Sequence, residues 1–192
     1  MGVHEPSDDP KSKRLKNILL WIDAQGEIAH RYAKMHLFDL EIPNGPVMKE
    51  SKTTEPGKEI APPFDLPGVG KIGSMICFDL RFPEISLALK RQQADAILYP
   101  SAFTVQTGKA HWHALLKARA IECQTYCIAA AQVGAHNEKR TSYGHSIVID
   151  PWGDVLAELG GEKKDEPEVI FADIDLGRVQ EVRKQQPLLR RT

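Results

Sequence analysis

Apolar and polar residues alternate along the chain in short segments that predict strands and helices in turn. Residues 17–22 are apolar enough for a strand, residues 23–26 are typical of a turn, and residues 27–32 alternate as a second strand. Residues 71–78 predict a buried strand, and residues 83–90 have helical spacing behind a proline that suits a first helical turn. The pattern predicts a β-hairpin followed by a strand, a turn and a helix.

The second half of the chain continues this interleaving. The elements predicted there are strands at 96–100, 126–131, 145–150, 155–157 and 169–173, helices at 111–123 and 176–186, and a tight turn at 151–154. Strands and helices that alternate in this way predict an α/β fold. The length fits one domain over residues 1–192, with a C-terminal helix and tail at 176–192.

Two segments lack a sustained period. Residues 1–10 are rich in turn formers and have little to bury, so regular structure is expected to begin after them. Residues 37–67 carry many Pro, Gly and charged residues and predict a long loop. Long loops inside compact domains often carry function, so this segment is expected to frame a site.

Composition narrows the class of protein. Apolar residues make up 42% and charged residues 27% of the chain, as in ordinary globular proteins. The chain has 25 basic and 26 acidic side chains and no long basic stripe. Nucleic acid is therefore not an expected partner. No segment reaches the roughly 18 to 20 apolar residues that a membrane span needs, and the polar start does not resemble a signal peptide. We predict a cytoplasmic protein, with a mitochondrial form left open.

Cysteine offers the first candidate chemistry. Three cysteines are too few and too irregular for a disulfide framework. Cys77 lies at the end of an apolar segment and just before a polar turn, where a thiolate can act as a nucleophile and backbone amides can bind an oxyanion. The alternative is that Cys77 is a small buried apolar side chain. Cys123 and Cys127 lack the second cysteine pair of a zinc site and are predicted to belong to the core.

Histidines offer a second possibility. His111, His113, His136 and His145 have the chemistry of metal ligands, or of a general base for Cys77. No pair of histidines at helical spacing has an acidic residue beside it in the sequence. We therefore predict no metal centre and no cofactor.

Several ordered motifs carry a resemblance to a known family. The run His-Arg-Tyr-Ala-Lys-Met-His-Leu-Phe-Asp at 30–39 resembles the lysine motif of the nitrilase (carbon-nitrogen hydrolase) superfamily, and residues 76–84 resemble its nucleophile segment. Residues 99–103 and 107–112 resemble the next strand and pocket loop. Within the superfamily, the runs at 130–134, 138–146 and 150–153 are similar to the deaminated-glutathione amidases. The resemblance covers residues 2–187.

The resemblance implies a Glu-Lys-Cys catalytic site. Carried over by motif position, Cys77 is the nucleophile and Lys34 is the cation that supports the tetrahedral intermediate. Glu50 matches a second glutamate of the family that positions the lysine. The backbone N–H of Phe78 is expected to donate to the oxyanion.

Further positions match the substrate pocket of the family. Arg81, Phe103 and Thr107 are implied to line it, and a substrate carboxylate would suit Arg81. The alternatives from the residues themselves remain open: an Asp79–Arg81 ion pair, and ordinary core packing for the other two side chains.

The resemblance also implies a fold and a missing part. The fold is an α-β-β-α sandwich with mixed sheets, often paired into a homodimer. Residues 1–4 resemble the end of the family's third strand, so about 80 residues with two strands and two helices are expected to be lacking. The proton-shuttling glutamate of the family belongs to a Pro-Glu segment in that region. We therefore expect little activity from the 192 residues alone.

The implied function is hydrolysis of a small amide. The substrate expected from the resemblance bears a carboxylate and is most simply deaminated glutathione, cleaved through a thioester on Cys77. One alternative is an ω-amidase that acts on acids like α-ketoglutaramate. Another is a catalytically inactive protein that binds metabolites or acts as a scaffold.

Overall fold

The fold is described from a computed structural model that covers residues 1–41, 47–138, 140–162 and 164–189. Its strands are β1 (Gly2–Pro6), β2 (Leu15–Ile22), β3 (Ile28–Ala33), β4 (Asp39–Glu41), β5 (Val47–Lys49), β6 (Thr54–Glu55), β7 (Phe64–Leu66), β8 (Gly70–Ser74), β9 (Ala96–Leu98), β10 (Tyr126–Ala129), β11 (Val133–Asn137), β12 (Arg140–Tyr143), β13 (Ile147–Ile149) and β14 (Val155–Glu158). Its helices are α1 (Pro83–Arg91), α2 (Val105–Cys123) and α3 (Leu176–Gln185).

Two larger sheets organise these strands. One has six strands in the order β14-β13-β10-β9-β8-β7, and the other contains β1-β2-β3 with β6 paired to β2. Strands β8, β9 and β10 run parallel, whereas their outer neighbours are antiparallel. The mixed sheets and the helices between parallel strands confirm the predicted α/β class.

The parallel strands are joined through α1 and α2, which pack on one face of the six-stranded sheet. Trp112 and Leu116 of α2 are fully buried there, together with Leu89 of α1. A Cβ atom on Gly73 of β8 would lie 2.9 Å from Leu89 Cδ1. Because glycine has no side chain, α1 can approach the sheet at this point.

The opposite face of the same sheet contacts the other elements. Ile72, Ala96 and Tyr126 pack there with Val179 of α3. Nearer the carboxyl ends of the strands, Leu98 packs with a cluster that includes side chains from β2 and β3. The carboxyl ends of β8 and β9 therefore lie against the four-stranded sheet.

Predictions at the chain start and in the long loop need correction. Residues 2–6 form β1, paired in antiparallel register with β2, so structure begins earlier than the turn-rich composition indicated. Residues 37–67 contain β4 to β7 and a 3₁₀ helix at Glu50–Lys52 rather than one continuous loop. Short pairings with distant partners build these elements, and local composition does not encode them. Residues 42–46 of the predicted loop lie outside the described residues.

Two predicted strands also differ. The strand predicted at 71–78 ends at Ser74, because the chain turns into a 3₁₀ helix at Cys77–Arg81. The strand predicted at 169–173 is not formed, and Val169 and Phe171 are exposed. Helix α3 matches its prediction, whereas residues 190–192 of the predicted tail lie outside the described part. In the described ranges, no helix has the length and apolarity needed to cross a bilayer.

Candidate active site

Cys77 occupies a sharp turn directly after β8. Its backbone φ is 48°, in the left-handed region that residues other than glycine seldom adopt. The Cys77 N–H donates to the carbonyl of Pro100 at 3.0 Å, which fixes the turn against the segment after β9. Such strained backbone is concentrated at functional sites. The turn leaves the thiol half-buried, so it differs from Cys123 and Cys127, whose predicted place in the core is confirmed.

Asp79 holds this turn against the end of β3. Its carboxylate is fully buried and accepts hydrogen bonds from Tyr32 Oη at 2.7 Å and from Ile76 N at 3.0 Å. It also accepts from His36 N at 2.8 Å and lies 2.9 Å from His36 Nδ1. These bonds join the two segments on either side of Lys34 to the residue before Cys77. Asp79 therefore sets the relative position of the lysine segment and the thiol.

The Asp79→Asn variant tests this role. The amide nitrogen of asparagine cannot accept a hydrogen bond, so at least one buried donor loses its partner. We expect the free energy of unfolding to fall by about 1 to 3 kcal/mol, measured by urea denaturation. Asp65→Asn, at an exposed position on β7, is the matched control. Equal stability of the two variants would contradict the role given to Asp79.

Lys34 and Glu50 form an ion pair beside the turn. Only 4% of the Lys34 side chain is exposed, and its Nζ lies 2.6 Å from Glu50 Oε2. The same oxygen accepts the Phe38 N–H at 2.6 Å, and Asn17 Nδ2 lies 3.4 Å from Oε1. Partial burial by itself would raise the pKa of Glu50, but these contacts outweigh it and lower that pKa. Glu50 is thus an ionised acceptor that orients the ammonium group.

The charges of Lys34 and Glu50 both affect the pKa of Cys77, so the three residues belong to one site. Burial raises the pKa of the Cys77 thiol, whereas the charge of Lys34 and a hydrogen bond from the Ala102 backbone lower it. The charge of Glu50 raises that pKa and the charge of Arg140 lowers it. The structure therefore brings together the three residues named from the sequence. It adds Arg140 on β12, whose only sequence signal is its place in the run at 138–146.

The pH dependence of alkylation follows from this balance. Because the net effect raises the thiol pKa above its ordinary value of 9.0, the reactive thiolate forms mainly in alkaline solution. We expect the rate of Cys77 modification by iodoacetamide to increase through pH 9 without a plateau below it. Mass spectrometry of the Cys77 peptide measures the rate, and Cys127→Ala should leave it unchanged. A plateau near neutral pH would contradict the prediction.

Arg81 is the last residue of the 3₁₀ helix that begins at Cys77. Its guanidinium carbon is 5.6 Å from the Phe78 ring centre and 5.4 Å from that of Phe103. Its two terminal nitrogens lie 3.3 and 3.4 Å from His111 Nδ1. The alternative of an Asp79–Arg81 ion pair is not observed, since the described contacts of Asp79 lie elsewhere. Arg81 keeps hydrogen-bonding capacity for a ligand, as its pocket assignment requires.

Phe78, Phe103 and Thr107 have different surroundings. Phe78 is the second residue of the 3₁₀ helix, whose first backbone amides lack partners within the helix. Phe103 is 6% exposed and its ring packs against that of Trp112 in a tilted arrangement at 4.9 Å, so core packing is its main contact. Thr107 lies within α2 rather than in a loop, and its N–H donates to the cap residue Thr104. The pocket roles of all three remain predictions.

Other candidate bases make their contacts elsewhere. His136 Nε2 lies 2.7 Å from Ser142 Oγ, and His113 and His145 both contact Glu158. Glu84, in the Pro-Glu pair that follows the nucleophile, is exposed in the first turn of α1. In the described part of the chain, no contact of these histidines or of Glu84 places a proton acceptor at Cys77.

The arrangement has several of the features that acyl transfer uses. A thiol held on a strained turn has the chemistry of a nucleophile. A buried lysine, oriented by an ionised glutamate, is a fixed positive charge of the kind that stabilises an oxyanion. A second cation, Arg81, lies at the edge of the site and suits a substrate carboxylate.

Comparisons with known proteins agree with this geometry. The carbon-nitrogen hydrolase family model matches residues 1–184. A probable hydrolase, nit2, of Schizosaccharomyces pombe is 54% identical over 98% of this chain and 67% of its own length. The deaminated glutathione amidase of Dictyostelium discoideum is 50% identical over 97% of this chain and 63% of its own length.

A solved structure shows the same fold. The NitFhit protein of Caenorhabditis elegans superposes with a TM-score of 0.89 at 47% identity, over 97% of this chain and 44% of that one. The chain thus spans less than two thirds of most of the relatives to which it is compared. Because the family model matches nearly its whole length, the chain belongs to the carbon-nitrogen hydrolase family.

Proposed function

We propose that this chain carries the catalytic site of an amidase that cleaves the carbon-nitrogen bond of a small, carboxylate-bearing amide through a thioester on Cys77. The observation that carries the proposal is the buried Lys34–Glu50 ion pair beside a half-buried thiol that a strained turn holds in place. Deaminated glutathione is the substrate that we propose first. Relatives with that amidase name from Dictyostelium discoideum and Homo sapiens support the choice.

The proposed reaction has two steps. In the first, Cys77 Sγ attacks the amide carbonyl, a carbon-sulfur bond forms, and Lys34 with the Phe78 N–H stabilises the oxyanion. The carbon-nitrogen bond then breaks and the amine leaves with the proton that the thiol lost. In the second step, water attacks the thioester, which releases the carboxylic acid and returns the thiol.

The proton taken from Cys77 requires an acceptor. Glu50 acts on the thiol, but its Oε2 already accepts from Lys34 and Phe38. The described contacts assign no proton acceptor to Cys77, so acyl transfer is best followed by single-turnover measurements.

Arg81 is the proposed anchor for the substrate carboxylate. A hydrogen bond between charged groups contributes about 1.5 to 3 kcal/mol, so Arg81→Met should raise KM for deaminated glutathione by roughly 10-fold to 100-fold. Hydrolysis of a neutral amide such as propionamide should change little. The measurement is the KM of both amides side by side, with α-ketoglutaramate as a third substrate.

Lys109→Met is the matched control, because it removes a cation from an exposed position on α2. Its KM values should equal those of the unmodified chain. A faster acylation by α-ketoglutaramate would instead favour an ω-amidase. If Cys77 alkylates normally but no amide acylates it, the chain binds metabolites without turnover and the proposal is wrong.

We further propose a cytoplasmic homodimer. Family resemblance supports the dimer. Light scattering at several protein concentrations tests the assembly, since a constant monomer mass would contradict it.

A further inference from the structure

Three side chains from distant parts of the chain converge near the middle of α2. They are His113 of α2, His145 in the turn before β13, and Glu158 at the end of β14. His113 Nε2 and His145 Nδ1 each lie 2.7 Å from the same Glu158 oxygen, Oε1. All three candidate ligand atoms lie within 4.8 Å of one another.

The surrounding structure fixes these side chains. His145 has a left-handed backbone with φ of 60°, and its carbonyl accepts the buried Trp112 indole N–H at 2.8 Å. The Tyr143 ring stacks on the His145 ring at 4.2 Å. The His113 and His145 rings are 5.3 Å apart and inclined by 76°, and one nitrogen of each ring points to Glu158 Oε1. The convergence is therefore built by the fold and does not depend on freely rotating surface side chains.

We propose that His113, His145 and Glu158 form a binding site for one divalent transition-metal ion of the zinc type. Two imidazole nitrogens and one carboxylate oxygen form a ligand set that zinc uses with water in the fourth position. Zinc bonds of about 2.0 to 2.2 Å put tetrahedral ligand atoms about 3.3 Å apart, so each histidine nitrogen needs to move about half an ångström away from Glu158 Oε1. The side chains remain between 24% and 39% exposed, which leaves a path for the ion and its water.

The site goes beyond the proposed amidase function, because it uses none of the residues assigned to the Cys77 site. A metal ion bound at this site would link α2 to β14 and to the turn before β13. The sequence predicted no metal centre because no acidic residue lies beside a helically spaced pair of histidines in the chain. Glu158 is 45 positions from His113 and 13 from His145, so only the folded chain supplies the acidic ligand.

Zinc titration of the metal-free 192-residue chain tests the proposal by isothermal calorimetry. We expect one zinc ion per chain and no binding of Mg²⁺, which prefers oxygen ligands. His113→Gln and Glu158→Gln should each weaken zinc binding by at least about tenfold. Both positions are partly exposed, and circular dichroism verifies that the variants fold.

Two controls separate this site from other zinc ligands. His4→Gln removes an exposed histidine from β1 and should leave the affinity unchanged. Cys77→Ala removes the half-buried thiol and should also retain binding. The proposal is overturned if the chain binds no zinc, if the His113 and Glu158 variants bind as tightly as the unmodified chain, or if Cys77→Ala abolishes binding.

Discussion

Replacing Cys77 by alanine is expected to abolish acyl transfer, so that no acyl adduct forms in a single turnover. The reason is that the proposed reaction passes through a carbon-sulfur bond that alanine cannot form. Incubation with substrate at alkaline pH, followed by intact-mass spectrometry, should show an acyl adduct in the unmodified chain. The Cys77→Ala variant should show none.

Cys127→Ala is the matched control for this experiment. Its thiol is fully buried in β10, and burial raises its pKa well above the ordinary value, so it should not react. The adduct should persist in this variant. An adduct or hydrolysis that survived in Cys77→Ala would transfer the nucleophile to another residue and refute the proposed function.

Lys34→Met is expected to lower the rate of acylation by about 10² to 10³, the loss typical of a single oxyanion donor. A methionine has nearly the same length but no positive charge. The rate of adduct formation from substrate in a single turnover measures the effect. Lys34→Arg should not restore the rate, because the 4% exposed site fits a compact ammonium rather than a planar guanidinium.

Loss of Lys34 also leaves Glu50 partly buried without its cation, which would lower stability by itself. The double variant Lys34→Met/Glu50→Gln separates the two effects. It removes both charges, so the free energy of unfolding should recover toward that of the unmodified chain while acylation stays slow. Recovery of acylation in the double variant would show that Lys34 is needed only to balance Glu50.

Local patterns predicted the elements whose stabilising contacts are regular along the sequence. In α1, Pro83 begins the helix and Ile85 and Leu89 recur on its buried face, so spacing alone places the element. The β2–β3 hairpin follows from alternation and the turn at 23–26, where Gly26 takes a positive φ. The position of Cys77 before a polar segment likewise indicated a candidate nucleophile.

The sequence patterns did not correctly predict the elements that depend on distant partners. Residues 2–6 look turn-rich but form β1, because β2 supplies the complementary edge. Residues 169–173 look like a strand but form none, since no neighbouring strand pairs with them in the described part of the chain. A strand is stabilised by its partners, so its own composition does not settle whether it forms.

For the candidate site too, the sequence predicted some features and only the tertiary structure showed others. Motif resemblance named Lys34, Glu50 and Cys77 from the sequence by itself. Only the tertiary structure showed that buried Asp79 bonds to both sides of the lysine segment and that Glu158 contacts two histidines. Burial and hydrogen bonding bring together residues that are far apart in the chain, and these contacts determine charge, orientation and ligand geometry.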